Sequence, residues 1–270
     1  MRSNKINPYD IEPHLAEIYD QTETQFEDVA LLRELIGNDR RLKILEPFCG
    51  TGRIFIPLAK DGHEIVGMDV ARSMIARADT KIKSLSPALR EKITLIHADV
   101  ISSMWPPEFD LVILGGNCFY ELATADEQEK CIRKAAQSLV PGGSIFIDND
   151  HMEGGLDEEW RKTGTIQLAM MGICLDGTSV ESTREIIWVN SAFRLVKFRR
   201  WTKVILPDGK LVEKEFMQQK HPVSAVEIRG WLERTGFNIE RVFGDYDRSP
   251  YYETCKRAIF WARKPSQPGK

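Results

Sequence analysis

The 270 residues carry a net charge of −3, with 42% hydrophobic and 29% charged side chains of both signs. That is chain enough for one large core with an elaboration, and too balanced a charge to draw nucleic acid or an anionic membrane. No run approaches the ~18 apolar residues of a spanning helix, and five cysteines without a Cys-x-x-Cys pair predict neither a disulfide framework nor zinc. Met1 to Asp10 is polar, with no apolar leader core, so the expectation is a cytoplasmic protein.

Residues 1–41 predict helices, with Leu15, Ile18 and Tyr19 and then Phe26, Val29, Ala30, Leu32 and Leu35 at helical spacing, stopped at Gly37-Asn38. From Leu42 the pattern becomes strand, turn, helix: Ile44 and Leu45 are apolar, Glu46 ends the run, and Gly50-Thr51-Gly52-Arg53 leads into a helix from Ile54 to Lys60. Glycines at such a turn let backbone approach a ligand, and the helix start offers free N–H groups. A dinucleotide site would want a third glycine where Phe55 stands. A carboxylate at Glu46 is poorly placed for a pyrophosphate and well suited to an ammonium or sulfonium. Strand Glu64–Asp69 then places Asp69 17 residues after Gly52, where an acid can accept both hydroxyls of a ribose. Asp69 is equally suited to start the next helix, from Ala71, which carries Met74.

A third strand runs from Ile93 to Asp99. A fourth, Phe109–Leu114, ends in Gly115-Gly116-Asn117-Cys118-Phe119-Tyr120-Glu121-Leu122, whose glycines again permit close approach at the sheet's crevice. A helix from Ala125 to Leu139 leads through Pro141-Gly142-Gly143 to a fifth strand, Ser144–Asp148. From about 160 to 220 the pattern turns to period-2 runs, Thr183–Asn190, Ala192–Leu206 and Lys210–Gln218, with Pro207-Asp208-Gly209 as a hairpin turn. Arg194, Lys197, Arg199, Arg200 and Lys203 read as a solvated basic edge over an apolar floor rather than a nucleic-acid surface. Helix Ser224–Arg234, strand Phe237–Phe243 and strand Ala258–Ala262 close the fold, and the segment from Pro265 is expected to be disordered.

Glu46, Gly50, Thr51 and Gly52, the acid Asp69, the His97-Ala98-Asp99-Val100 segment and the Pro141-Gly142-Gly143 signature, in that order, resemble the class I S-adenosylmethionine-dependent methyltransferases. The resemblance implies a Rossmann-like, doubly wound α/β sheet of seven strands with the last antiparallel, and an antiparallel β insertion after the fifth strand. It divides the chain into an N-terminal helical lid (1–41), a core (42–155 and 221–264), a substrate cap (156–220) and a tail (265–270). The cofactor contacts it implies are Tyr19, Glu46, Gly50, Thr51, Gly52, Arg53, Asp69, Val70, Met74, Asp99, Val100, Gly115 and Gly116, with Tyr9 an alternative to Tyr19 in the lid.

Within that family the chain looks most similar to small-molecule N-methyltransferases. The glycine/sarcosine type carries a Gly-Asn-Ser-Phe-x-His-Leu run where Gly116 to Leu122 stand, and the aminosugar type a similar overall layout. The departures matter: Glu121 replaces a histidine, and Asp150 the arginine that holds an amino acid's carboxylate. Two carboxylates there favour an amine-bearing or cationic acceptor and supply a base. Asn117, Tyr120, His151 and Tyr246 are the candidate acceptor contacts, with Asp247 and Tyr251 at the rim. The implied partner is a small methyl acceptor, with no nucleic acid, membrane or metal, and self-association left open. An O-methyltransferase is the nearest alternative, a metal-assisted form using Asp148, Asn149 and Asp150 a remoter one. A nicotinamide oxidoreductase is the alternative from another class.

Overall fold

The computed structural model describes residues 13–38 and 40–266; Tyr9 and residues 267–270 lie outside them. Two helices open the described chain, α1 (Pro13–Thr22) and α2 (Glu27–Ile36). Alternating strands and helices follow: β1 (Lys43–Pro47), α3 (Phe55–Lys60), β2 (Glu64–Asp69), α4 (Arg72–Lys83), α5 (Pro87–Arg90), β3 (Ile93–His97), β4 (Phe109–Leu114), α6 (Ala125–Ser138) and β5 (Leu139–Asp150). After α7 (Glu158–Arg161) come β6 (Ile166–Ile173), β7 (Ser179–Asn190), β8 (Leu195–Ile205) and β9 (Leu211–Lys220). The chain returns through α8 (Ala225–Arg234) to β10 (Asn238–Phe243) and β11 (Arg257–Arg263).

The main sheet has the order β10-β11-β5-β4-β1-β2-β3, with β11 antiparallel to both neighbours and β3, β2, β1, β4 and β5 parallel. Its central strands are buried on both faces, and the period of two sorts their side chains. Leu45, Val112, Leu114, Ile145 and Ile147 pack with α6 and α8 through Ile132, Ala135, Ile228 and Trp231. Ile44, Leu111, Ile113 and Phe146 pack with α2, α3 and α4 through Leu32, Phe55, Leu58 and Ala78. Because β1 lies between β2 and β4, the strand order reverses there and opens a crevice at the strands' carboxyl ends.

The other four strands form a separate antiparallel sheet, β6-β7-β8-β9, inserted between β5 and α8. Three expectations need correction. β5 begins at Leu139 rather than Ser144: β4 and β5 keep pairing across Pro141-Gly142-Gly143, with a register shift between Phe109 and Leu111 absorbing the extra residues. β6 was not legible, because a register shift between Leu168 and Met170 and an exposed outer side break its alternation. Lys197, Arg199, Arg200 and Lys203 lie on β8, an interior strand rather than an edge, and Arg194 immediately precedes it. Arg194 reaches Glu227 and the carbonyls of Met152 and Pro222, and Arg200 shares its face with buried Val196, Phe198, Thr202 and Val204.

Candidate active site

β1 delivers Glu46 to the crevice, and the chain then turns through three residues of positive φ: Phe48 (64°), Gly50 (54°) and Gly52 (88°). A Cβ on Gly52 would lie 2.8 Å from Phe55 and Ile56, whereas one on Gly50 would meet nothing within 4 Å. The turn therefore needs Gly52 for packing and leaves open space over Gly50. The loop is pinned to the end of β2 by Cys49 N–H donating to the Met68 carbonyl (2.9 Å) and Gly50 N–H to Asp69 Oδ2 (2.9 Å). Asp69 Oδ1 takes Ala71 N–H at 2.8 Å. Each carboxylate oxygen thus holds one backbone donor and keeps a lone-pair direction for another. Burial pushes the Asp69 carboxyl up to about 6, against the pull of those two N–H groups.

Glu46 is 4% exposed and its Oε2 has no hydrogen-bond partner. Burial drives its carboxyl well above the usual range, and the Arg53 charge only partly offsets this. A buried carboxylate oxygen left unpaired is costly, and a cationic ligand group above the open Gly50 turn would pair it. This unpaired acceptor therefore fits S-adenosylmethionine, whose α-ammonium and sulfonium are both cationic.

The N-terminal helices close over this wall. Asp20 of α1 accepts from Thr51 Oγ1 (2.5 Å) and is held from the other side by Arg77 (2.9 Å) and Lys81 (2.8 Å) of α4. Tyr19 packs with Ala71 and Met74, and burial pushes its hydroxyl up to about 12, the charge of Arg53 opposing and that of Glu46 adding. Arg53 is forked onto Asp28 of α2 (2.5 and 2.9 Å), and a Cβ on Gly116 would lie 3.4 Å from its Nη2. Val70 is exposed beside Asp69. Asp99 is exposed and caps the turn after β3, with Oδ1 on Ile101 N–H (2.7 Å), and Val100 is buried in the core.

The far wall starts at the end of β4. Gly116 (φ 62°) and Asn117 (φ 61°) reverse the chain into a single 3₁₀ turn, Cys118–Glu121. Asn117 and Asp150 are cross-linked twice: Nδ2 donates to Asp150 Oδ2 (3.0 Å), and Asp150 N–H to Asn117 Oδ1 (2.5 Å). The Tyr120 hydroxyl donates to the Asp150 carbonyl (3.2 Å), while its ring stacks on Trp160 at 5.6 Å. Asp148, fully buried, accepts from Arg257 (2.5 Å) and from the Tyr246 hydroxyl (2.8 Å). Burial raises the Asp148 carboxyl and Arg257 opposes that. Glu121 is exposed, takes Gln218 Nε2 of β9 at 3.3 Å, and exerts its charge on both Asp69 and Lys220.

Two expectations change here. Asp150 is not a free carboxylate, because Arg257 sits 2.9 Å from its Oδ1; β11 runs antiparallel to β5 with Arg257 directly opposite Asp150. His151 is not a rim group. Its Nε2 is hydrogen-bonded to the Cys255 carbonyl, its Nδ1 faces Glu153 (3.3 Å) and Tyr251 (3.4 Å), and its side chain is 2% exposed. Sequence reasoning missed Arg257, Asp28 and Asp20, all of which act through pairings between remote segments. It also missed that His14, Cys174 and Asp176 bring ligand-type atoms within 4.8 Å of one another where α1 meets the β6–β7 hairpin.

Residues 44–143, from β1 to the glycines of β5, match the family model described as a methyltransferase domain. A protein of Geobacillus sp. (strain WCH70) described as a methyltransferase is 22% identical over 233 residues, 84% of this chain and 87% of that one. Among solved structures, a S-adenosylmethionine-dependent methyltransferase from Clostridium acetobutylicum ATCC 824 superposes with a TM-score of 0.71 at 16% identity, over 94% of this chain and 98% of that one. The sugar N-methyltransferase of Streptoalloteichus sp ATCC 53650 gives 0.70 at 17% identity, over 98% and 96%. Residues 44–143 thus carry a methyltransferase domain, set in an α/β sheet whose fold is shared with a S-adenosylmethionine-dependent methyltransferase and whose Gly-Thr-Gly turn lies between two acids.

Proposed function

We propose that the acceptor is a small molecule and that the methylated atom is an amine nitrogen. The observation that carries this reading is Glu121. It is an exposed carboxylate on the turn that ends β4, and its charge is felt by Asp69 on the cofactor wall and by Lys220 on the cap. S-adenosylmethionine supplies an electrophilic methyl group on sulfur; the protein has to hold the acceptor in line with it, exclude water and receive a proton. Glu121 would draw an ammonium into the crevice and take its proton. Asn117 and Tyr120, locked to Asp150, would shape the approach, and the insertion sheet would cover it. The likeness in fold to a sugar N-methyltransferase supports a nitrogen acceptor.

The test is in two steps. Calorimetric titration of S-adenosylhomocysteine should give micromolar binding that Asp69→Ala abolishes. Transfer of a labelled methyl group to a panel of amines and alcohols then reads the acceptor class. Glu121→Gln should lower kcat/KM for the amine by about tenfold or more with S-adenosylhomocysteine binding unchanged. Transfer only to hydroxyls, or an unaltered rate in Glu121→Gln, would overturn the amine reading.

A further inference from the structure

The face of the insertion sheet that packs inward has three zones. At one end Val180 and Val204 pack with Leu15 and Ile18 of α1. At the other Ile186, Val196 and Phe198 pack with Leu156 and Trp160. Between them lies a polar band. Ser182 and Thr202 face each other across β7 and β8, bonded at 3.3 Å, and one step along Arg184 stands directly opposite Arg200.

Like charges directly opposite on a sheet repel, and half-burying them adds a desolvation cost. Neither guanidinium has a carboxylate within ion-pair distance among the described residues. Arg184 Nε has a long bond to Gln167 Oε1 (3.4 Å) and lies over the Phe198 ring, and Arg200 has Gln218 Oε1 (3.2 Å). The Arg200 Nε is buried without any partner. Burial, then the Arg200 charge, lowers the Arg184 guanidinium below its ordinary value, with only Glu159 acting the other way.

This band is linked by contacts to the turn that carries Glu121. The Gln218 side chain that accepts from Arg200 also donates to Glu121, so one amide separates the arginine from the candidate base. A second path runs through rings: Tyr120 stacks on Trp160, Trp160 meets Phe198 edge-on at 5.8 Å, and Phe198 carries Arg184. Lys220, whose ammonium lies over the Tyr120 ring, completes the set. Burial lowers it, Glu121 raises it, and Arg200 and Arg184 lower it further.

We propose that Arg184 and Arg200 form an anion-binding subsite of the acceptor pocket. They would hold a carboxylate or phosphate that the acceptor carries away from its reacting nitrogen, with Lys220 between the two ends. Resting on the amine reading above, this makes the acceptor dipolar: an amine drawn to Glu121, an anion to the cap. Arginine forks suit such groups, which accept two parallel bonds. Anion binding would supply the missing partner of the buried Nε and relieve the repulsion between the guanidinium groups.

The probes are phosphate and malonate, added at matched ionic strength to the full chain saturated with S-adenosylhomocysteine, with melting temperature and calorimetry as readouts. At least one anion should raise the melting temperature, and their order says whether phosphate or carboxylate is preferred. Arg184→Met and Arg200→Met should each weaken that anion about tenfold or more and leave S-adenosylhomocysteine affinity unchanged. No shift with either anion, or a shift that survives both substitutions, would overturn the subsite while leaving the methyltransferase reading intact. Absence of S-adenosylhomocysteine binding in the wild type would sink that reading instead. A variant that had merely lost packing would melt lower yet keep its anion-induced rise, which also counts against the subsite. Salt-sensitive binding of tRNA lost in the same variants would assign the arginines to nucleic acid and overturn the small-molecule proposal.

Discussion

On the cofactor wall the contacts that pin the glycine turn to β2 are made within one βαβ unit, as in Gly50 N–H to Asp69, 19 residues apart. On the acceptor wall they span the fold: Asn117 to Asp150 over 33 residues, Glu121 to Gln218 over 97, Arg257 to Asp148 over 109. The first wall is a property of a local turn and its strand. The second exists only once β11 has paired with β5 and the insertion sheet has folded back over the 3₁₀ turn. A local wall suits a ligand common to many enzymes, and a wall assembled from remote pieces can be rebuilt for a different acceptor without disturbing it.

If the walls are separable in this way, the largest effect should come from cutting the acceptor wall's buried ion pair. Arg257→Met leaves Asp148 buried with only Tyr246 and a long Gly116 N–H bond (3.4 Å). Removing one partner of a buried pair costs about 3 kcal/mol or more, read as a fall in unfolding free energy in urea. Adding Asp148→Asn should recover most of it by removing the stranded charge, while S-adenosylhomocysteine affinity of the folded protein stays within about twofold in both variants. A loss below about 1 kcal/mol, or a collapse of cofactor affinity without loss of folding, would mean the walls are not built as described.

The same contrast explains what was readable from the chain. Glycine, acid and apolar alternation specify β1, β2 and β4 because each strand is short, doubly buried and bounded by its own turn residues, and Glu46 and Asp69 fall at the strand ends where the crevice must be. Arg257 was invisible since nothing near it in sequence says that it will face Asp148; only the antiparallel register does. Arg200 was misjudged because its basic neighbours suggested an edge, whereas β8 pairs with β7 on one side and β9 on the other. His151 failed for a related reason: being next to Asp150 in sequence says little when the carbonyl of Cys255 and the Glu153 carboxylate claim its ring.

A smaller effect separates two glycines on the cofactor wall itself. Gly52→Ala places a methyl 2.8 Å from Phe55 and Ile56 at a φ of 88°, so it combines overpacking with left-handed strain. It should cost about 2 kcal/mol in stability. Gly50→Ala meets open space at a φ of 54° and should cost only about 1 kcal/mol. Its methyl group projects into the volume assigned to the ligand, so its S-adenosylhomocysteine affinity should fall further than its stability suggests. Equal stability losses in urea would show that packing beneath the turn is not what Gly52 provides.

The remaining effect is a pH dependence, and its sign follows from Asp69. Burial holds this carboxyl at about 6 in the free protein, above its ordinary value of 3.8. Were Asp69 to take the ribose hydroxyls, these would donate to the ionised form, so binding would favour the carboxylate and release a proton wherever the free group is protonated. Affinity for S-adenosylhomocysteine should therefore be flat above pH 7 and weaken as pH falls through about 6, reaching a loss of about tenfold at pH 5. Asp69→Asn should bind more weakly at pH 7 and show little of this slope. Glu46 is also buried and lies on the same wall, so a slope that persists in Asp69→Asn and vanishes in Glu46→Gln would move the titration to the amino acid end of the cofactor. Because Arg257 bonds Asp148 and Asp150 rather than Asp69 or Glu46, Arg257→Met should keep the wild-type slope, and calorimetry across pH 5 to 8 reads all four proteins on one scale.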